Sequence, residues 1–207
     1  MNIQTIPVGP IGTNCYLVTD EKTKKTVIID PGAKSARLKR AMEETGVENI
    51  AAVLLTHGHF DHVMGLPMVK ELTGAPVYIH EADAVFLEPG GPNHRFFRSD
   101  PAGKPDRLLR EGDTIECGAL VFSVLSTPGH TPGGCCYLCE DVIFSGDTLF
   151  YRETGRADFP YSDYEEELRS LEKLRALPGD YTVFPGHGRS TTLQEEREKN
   201  PYMNMNR

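Results

Sequence analysis

The amino-acid sequence predicts an α/β (α+β) fold in which two sheets are covered by outer helices. Strand-like and helix-like patterns follow each other along the 207 residues with mixed lengths, which favours layered sheets and helices. The run AAVLLT at 51–56 has no polar alternation, which is typical of a strand covered on both faces. At roughly 150 residues per domain, residues 1–207 are predicted to form one domain.

Local patterns define the elements of the first half. Strands are predicted at 2–7, 14–19, 25–30, 51–56 and 75–80. Apolar residues recur every three to four positions over 35–46, and Gly46 closes the pattern, so this segment is predicted as a helix. Residues 62–73 are also predicted to be helical.

The second half repeats the alternation less regularly. Strands are predicted at 113–117, 119–126, 134–140, 142–146 and 181–184, and a charged helix is predicted near 163–176. Residues 87–106 are rich in glycine, proline and polar side chains, and such an irregular stretch inside a compact domain is usually functional or an insertion. We therefore expect an irregular, lid-like insertion around 88–111.

Composition and charge disfavour several classes of protein. Lys and Arg number 22 against 30 Asp and Glu, so the formal net charge of −8 disfavours nucleic-acid binding. No apolar run reaches the length of a membrane span, and the first residues lack signal-peptide features, so we expect a cytoplasmic protein without membrane contact. The odd number of cysteines, 5, also fits a reducing compartment. The Cys136–Cys139 pair has no second pair at similar spacing, so a strand is favoured over a zinc ribbon.

Most of the histidines lie in short, glycine-punctuated segments that each follow a predicted strand. These segments are THGHFDH at 56–62, PGHTPG at 128–133 and PGHG at 185–188, and SGDTLF at 145–150 supplies an aspartate instead. Loops held by a rigid scaffold are where functional residues gather. His80 and His94 lie outside the segments, and for them a structural role is favoured.

The spacing within THGHFDH indicates a metal site. His57 and His59 are two positions apart in an extended loop, so their side chains can point the same way and share one ion. Asp61 and His62 follow at once and can serve a second centre beside the first. Imidazole and carboxylate groups bind zinc, and also iron or manganese.

The full set of motifs resembles the metallo-β-lactamase superfamily, and within it the short bacterial glyoxalase II-like proteins, the hydroxyacylglutathione hydrolases. The resemblance rests on HGHFDH followed by the isolated His130, Asp147 and His187. Matching motifs elsewhere are Asp30-Pro31-Gly32, GRADF at 155–159 and Asn200-Pro201-Tyr202. The resemblance implies a four-layer αββα sandwich with a binuclear metal site at one edge.

The resemblance also implies a role for each ligand-type residue. The first metal would be held by His57, His59 and His130, and the second by Asp61, His62 and His187, with Asp147 bridging the two. The implied cofactor is a pair of divalent ions, zinc in the first place, with iron or manganese as alternatives. Asp30 would orient a ligand histidine from behind, although an Asp-Pro-Gly turn also accounts for this residue.

The implied reaction is hydrolysis by a metal-bound hydroxide. Two cations about 3.5–4 Å apart lower the pKa of a shared water, and the resulting hydroxide attacks a polarised carbonyl. The implied substrate is a small-molecule thioester such as S-lactoylglutathione or a related acyl-thiol, because a thiolate leaves with little help from a general acid. Asp61 could also accept a proton. No GxSxG, GxxxxGK(S/T) or GxGxxG motif is present, so a serine hydrolase and a nucleotide site are not supported.

Substrate contacts are less defined by the sequence. Arg156 and Asp158 lie in a loop that the resemblance brings next to the site, either as a structural clamp or as a substrate contact. The 88–111 segment carries basic side chains that could attract an anionic acyl-thiol, and Phe96 and Phe97 could cover the metals. The basic residues are Arg95, Arg98, Lys104, Arg107 and Arg110. A solvated charged loop explains the same composition.

Several other functions stay open. Persulfide dioxygenases also resemble the chain and use a single iron held by two histidines and an aspartate, but Pro185–Gly188 looks more like the hydrolases. A lactone or β-lactam hydrolase on the same metal pair is a further alternative. A structural metal module is disfavoured because this donor set leaves an open coordination position, and a nuclease is disfavoured by the acidic charge. The helical domain that supplies glutathione-binding residues in full-length glyoxalase II is not expected here, so the thiol carrier is open, as is the oligomeric state.

Overall fold

The computed structural model describes residues 1–204 and contains two six-stranded sheets. The first sheet consists of β1 (Asn2–Val8), β2 (Thr13–Thr19), β3 (Thr26–Ile29), β4 (Ile50–Leu54), β5 (Val77–His80) and β6 (Arg107–Leu109), arranged in chain order. Strand β2 pairs antiparallel with both β1 and β3, and β3 to β6 are mutually parallel.

The second sheet is built from the other half of the chain. Its strands are β7 (Thr114–Cys117), β8 (Leu120–Ser126), β9 (Cys135–Cys139), β10 (Val142–Gly146), β13 (Thr182–Pro185) and β14 (Thr191–Thr192), while β11 (Leu149–Phe150) and β12 (Glu153–Thr154) pair separately. The spatial order is β14-β13-β10-β9-β8-β7. The helices are α1 (Ala36–Thr45), α2 (Phe60–Val63), α3 (Leu66–Thr73), α4 (Pro92–Phe97), α5 (Tyr164–Arg175) and α6 (Leu193–Lys199).

The two sheets pack face to face around a central apolar core. On β3, Val27 and Ile29 belong to this core, together with Phe122 of β8 and Phe144 of β10. Successive side chains of a strand point to opposite faces, so Ile28 lies in a second core instead, between the first sheet and its helices.

Each sheet is covered on its outer face by helices. Leu38 of α1 and Val69 of α3 pack on the first sheet. Cys136 of β9 packs with Leu171 and Leu174 of α5 on the outer face of the second sheet. The resulting α/β/β/α layering confirms the predicted four-layer sandwich.

The segment 62–73 is helical as predicted, but it is interrupted. The helical segment is divided into α2 and α3, and Gly65 lies between them. A Cβ atom on Gly65 would lie 2.5 Å from the carbonyl oxygen of Pro31, so only glycine allows the backbone to approach this closely. Within α2, the side chains of Asp61, His62 and Val63 are buried.

The segment predicted as an irregular insertion, 88–111, contains both α4 and β6. Strand β6 extends the first sheet by pairing in parallel with β5. Among residues 1–204, no helix combines the length and the apolar character that crossing a membrane requires. The cysteines of the CxxC pair lie in β9 as predicted, with free, buried thiols.

Candidate metal centre

Loops that follow strands of both sheets meet at one edge of the sandwich. The first sheet contributes the segment after β4, and the second sheet contributes the loops after β8, β10 and β13. They bring together the side chains of His57, His59, Asp61, His62, His130, Asp147 and His187. The start of β2 holds the last loop in place, because Asn14 donates hydrogen bonds to the carbonyls of Pro185 and Gly188.

Three buried histidines form the first group of possible ligands. The ligand atoms of His57, His59 and His130 all lie within 4.8 Å of one another. Nε2 of His57 is 3.1 Å from Nδ1 of His59. Burial lowers the pKa of each of these imidazoles, which favours the neutral form that binds a metal.

The second group contains a carboxylate and two histidines. The ligand atoms of Asp61, His62 and His187 also lie within 4.8 Å of one another. Burial would raise the pKa of Asp61, but the adjacent His62 and His187 bring it down to about 2. Burial likewise opposes protonation of His187, yet Asp147 and Asp61 raise its pKa to about 9. The carboxylates therefore make this side of the site attractive to positive charge.

Asp147 lies between the two groups. Its Oδ2 is 3.5 Å from Nε2 of His130 and 3.5 Å from Nε2 of His187, and its Oδ1 is 3.4 Å from Nε2 of His62. Gly186 makes this packing possible, because a Cβ atom there would lie 2.1 Å from Oδ1 of Asp147. One carboxylate thus faces histidines of both groups.

Asp30 lies behind the ligand-type side chains. Its Oδ1 accepts from the backbone N–H of Thr56, and its Oδ2 accepts from the Thr56 hydroxyl and from Nδ1 of His62. Asp30 also forms a close group with His57 and His62, but its oxygens are already engaged by these donors. Asp30 therefore holds the imidazole of His62 by a hydrogen bond on its outer nitrogen.

Hydrogen bonds on the outer ring nitrogens orient the histidines towards the site. Nδ1 of His130 donates to the carbonyl of Arg156, and Nδ1 of His57 faces the Thr56 hydroxyl, whose own proton goes to Asp30. A donating Nδ1 leaves Nε2 as an acceptor. The Nε2 atoms of His57 and His130 therefore present lone pairs to the site, as metal-binding imidazoles with outer hydrogen bonds do.

Unpartnered buried atoms support the same interpretation. Within the described residues, Nε2 of His130 and Oδ1 of Asp147 are buried and make no hydrogen bond. Buried polar atoms in folded proteins are nearly always paired, so such atoms need a partner of another kind. Imidazole nitrogens and carboxylate oxygens are the donors expected for zinc, iron or manganese. The residues present therefore fit a pair of divalent ions.

Three further residues that the sequence did not indicate hold the site together. The Tyr161 hydroxyl is 2.7 Å from Nε2 of His59. Glu167 of α5 accepts from the backbone N–H of His130, and burial raises its pKa to about 8. Asp83 accepts from the N–H groups of Gly58 and Gly133. Each lies far along the chain from the group that it contacts, so no local spacing marked it.

Five of the seven side chains line a cavity of about 390 Å³ with aromatic walls, namely His59, Asp61, His130, Asp147 and His187. Phe97 of α4 lines this cavity, with its ring centroid 5.7 Å from that of His59. Phe96 is 51% exposed and contacts the ring of Tyr161, and neither Phe96 nor the exposed Arg95 belongs to the cavity lining. Of these three predicted lid residues, Phe97 alone reaches the cavity.

Arg156 and Asp158 form a pair at the mouth of the cavity. Both guanidinium donors are 2.9 Å from carboxylate oxygens, and both side chains are largely exposed. The Arg156 guanidinium also lies 4.9 Å from the ring centroid of Phe159. The pair is therefore already complete within the chain, which favours the structural clamp over the substrate contact.

The sequence profile of the metallo-beta-lactamase superfamily matches residues 8–187, a span that includes all seven of these side chains. The chain belongs to the metallo-β-lactamase superfamily. This membership agrees with the four-layer sandwich and with the His/Asp groups at its edge.

Individual superfamily members resemble the chain over nearly its whole length. Hydroxyacylglutathione hydrolase GloC of Haemophilus influenzae is 37% identical over 211 residues, covering 99% of this chain and 99% of that protein. The BLEG-1 B3 metallo-beta-lactamase has a TM-score of 0.88 at 35% identity, covering 98% of this chain and 99% of its own. TTHA1623, solved in a di-iron-bound form, has a TM-score of 0.83 at 36% identity, covering 96% and 99%. The chain is thus a relative of metallo-hydrolases.

Proposed function

We propose that the chain is a metal-dependent thioester hydrolase with a binuclear site. The observation that carries the proposal is Asp147, whose carboxylate lies within 3.5 Å of histidines from both ligand groups. In the reaction, water adds to the thioester carbonyl and the C–S bond breaks. The products are a carboxylic acid and a thiol, with the proton from water carried to the departing sulfur or to solvent.

The proposed ligands are the residues of the two groups and the carboxylate between them. The first ion would take His57, His59 and His130, the second would take Asp61, His62 and His187, and Asp147 would contact both. When bound, such ions lower the pKa of water and polarise a carbonyl oxygen. Zinc is our first choice of metal. Iron and manganese are alternatives, because this donor set suits all three.

The chain's own residues orient the ligands and exclude water. Asp30 and the Arg156 carbonyl fix the rotation of His62 and His130. Asp61 accepts a hydrogen bond from the Thr13 hydroxyl, and its pKa of about 2 suits a ligand better than a general base, which works best near the ambient pH. Phe97 covers the cavity from the side of α4.

A thioester is the substrate that fits these features best. The aromatic cavity accommodates an acyl group, and a thiolate needs little protonation to leave, so the absence of a general acid in the proposed scheme costs little. The similarity to GloC, named as a hydroxyacylglutathione hydrolase, supports the same class.

The decisive test is metal content combined with a thioester panel. The protein is expressed without added metal, purified gently, and its metals are counted by mass spectrometry alongside an Asp147→Asn variant. We expect close to two equivalents per chain in the parent protein, hydrolysis of at least one acyl-thiol, and loss of both in the variant.

Two results would overturn the proposal. One equivalent of iron without zinc, together with oxygen uptake on a persulfide, would favour the mononuclear dioxygenase. Two equivalents of metal with hydrolysis of lactones or β-lactams but no thioester would keep the metal pair and reject the substrate.

A further inference from the structure

The cavity of about 390 Å³ at the candidate metal centre is called the metal cavity below. A second cavity lies beside it and shares a wall with it. This side groove measures about 550 Å³ and lies between α2, α3 and the segment that follows α4. Phe60 and Phe97 line both cavities, and their ring centroids are 4.8 Å apart. A ligand that reaches the metal cavity can therefore extend over this pair of rings into the side groove.

Two cations without partners flank the side groove. Lys34 and Arg98 both line it and are exposed, and within residues 1–204 neither side chain forms an ion pair or a hydrogen bond. In contrast, Arg107 and Arg110, further along the same segment, are paired with acidic side chains. Asp100 also lines the groove, so its charged lining carries one net positive charge in a chain whose net charge is −8.

Arg98 is held in position by the packing of α4. It ends the helix with a φ of 54°, in the left-handed region that residues other than glycine rarely adopt. The helix is anchored by Asn93, which is buried and donates hydrogen bonds to the carbonyls of Gly58 and Phe86. Gly58 lies between two candidate ligands, so the segment bearing Arg98 is fixed relative to the metal centre.

Apolar side chains complete the groove. Met64 and Pro67, at the junction of α2 and α3, lie on its lining, and Met64 is 40% exposed. A surface of this kind fits a ligand with an apolar stem and an anionic end.

We propose that the side groove binds a carboxylate at the far end of the substrate's thiol half, through Lys34 and Arg98. This inference rests on the proposed thioester hydrolysis. The acyl group occupies the metal cavity, the sulfur lies near Phe60 and Phe97, and the thiol carrier extends into the side groove. The preferred substrates are therefore acyl-thiols whose carrier is acidic, whatever the acyl group.

The test compares two thioesters that differ only at the end of the carrier. The probes are the S-acetyl derivatives of mercaptopropionyl-glycine, which ends in a carboxylate, and of mercaptopropionyl-glycinamide, which is neutral. For the Lys34→Ala/Arg98→Ala variant of the metal-loaded protein we expect KM for the acid to rise about tenfold, the size typical of lost charge-assisted hydrogen bonds. We expect kcat for both probes and KM for the amide to stay at parent values.

A matched control removes a charge outside the groove. Arg40 of α1 is exposed and does not line the groove, so Arg40→Ala should leave both KM values unchanged. An equal rise in KM for acid and amide, or a KM for the acid that does not respond to the double variant, overturns the inference. The inference also fails if the double variant raises KM only for thioesters that carry the carboxylate on the acyl half.

A binding measurement separates this inference from the proposed function. Thioether analogues of the two probes, which cannot be hydrolysed, are titrated calorimetrically into the parent protein and the double variant. If no thioester is turned over but the acid analogue binds more tightly than the amide, and only with Lys34 and Arg98 present, the groove assignment stands and thioester hydrolysis fails. If turnover occurs and the analogues bind equally, the groove assignment fails alone.

Discussion

At the scale of single residues, the metal centre depends on side chains that do not face the proposed ions. Asp30 has a φ of 51°, an unusual value for a residue with a Cβ atom, and it engages three donors from Thr56 and His62. A backbone in this region costs of order 1–3 kcal/mol and persists only where its surroundings impose it. The hydrogen bonds to Asp30 supply that constraint and also fix the ring of His62.

Asp30→Asn tests this role. An amide keeps one acceptor oxygen and turns an NH2 group towards a donor, so one contact with Thr56 or His62 is lost. We expect metal affinity or activity to fall by about 10–100-fold, the usual cost of removing such a supporting group. Competition with a chromogenic chelator measures the affinity directly.

Asp20→Asn is the matched control for this substitution. Asp20 is buried and accepts hydrogen bonds from Lys22, Thr23 and Ala119, just beyond the end of β2. Its loss should lower the stability while leaving metal affinity unchanged. A similar loss of affinity in both variants would mean that Asp30 acts only through overall stability.

At the scale of elements, loops from different sheets are tied together by residues that bind no ion. Asp83, in the 3-10 segment after β5, accepts from Gly58 at 2.7 Å and from Gly133 at 2.6 Å. These glycines lie in the loops of the first and second sheets that carry candidate ligands. Burial raises the pKa of Asp83 to about 6, although the two N–H donors favour its charged form.

The pKa of Asp83 predicts a pH dependence of stability in metal-free protein. Between the reference value of 3.8 and about 6, the folded chain retains a proton that the unfolded chain has released. Asp83 therefore makes the free energy of unfolding fall as pH rises through this window, by about 3 kcal/mol for a shift of about two units. Asp83→Asn removes this dependence because an amide does not titrate.

The measurement is urea unfolding of both proteins in the presence of chelator, from about pH 4 to about pH 7.5. The buried histidines titrate in both proteins and cancel in the difference. We expect the stability of the parent relative to the variant to decline with rising pH. A difference that stays constant would show that Asp83 has the same pKa in the folded and the unfolded chain.

The sequence predicted those elements whose patterns are local. The run 51–56 is apolar throughout and was correctly predicted as a strand, because a strand buried on both faces needs no partner to be recognised. Strand β6 and the pair β11–β12 have two or three residues and form only because a neighbouring strand is present. Helix α6 was missed despite Thr192, whose side chain accepts from the N–H of Glu195, a capping pattern visible in the sequence.

The same contrast holds for the site. The candidate ligands were found because each lies in a short motif after a strand. Glu167 was not found from the sequence, because it lies in a run of acidic helix residues that resembles a solvated face. In the structure it is fully buried against the loop of His130. A buried carboxylate that accepts from distant backbone groups leaves no spacing signal in the sequence.

At the scale of the whole molecule, the metal centre joins the two halves of the sandwich. The segment after β4 belongs to the first sheet, whereas His130, Asp147 and His187 follow strands of the second. Between the sheets, apolar contacts such as the ring pair of Tyr16 and Phe144, with centroids 5.2 Å apart, form the core. Ions at the edge would add a link between sheets that the core alone does not supply.

Metal removal should therefore lower the thermal stability of the whole chain. A ligand that binds only the folded state at about 1,000 times its Kd stabilises by about 4 kcal/mol. At about 2–4 °C per kcal/mol for a chain of this size, we expect chelation to lower Tm by roughly 10 °C, and zinc to restore it. Calorimetric scans with chelator and with added zinc measure both values.

Two histidine variants locate the stabilising ion. His187→Ala should keep only part of the rise in Tm on adding zinc, because it removes a ligand of one group, whereas His80→Ala, outside the site, should keep all of it. An equal response to zinc in both variants would place the stabilising ion outside the proposed centre.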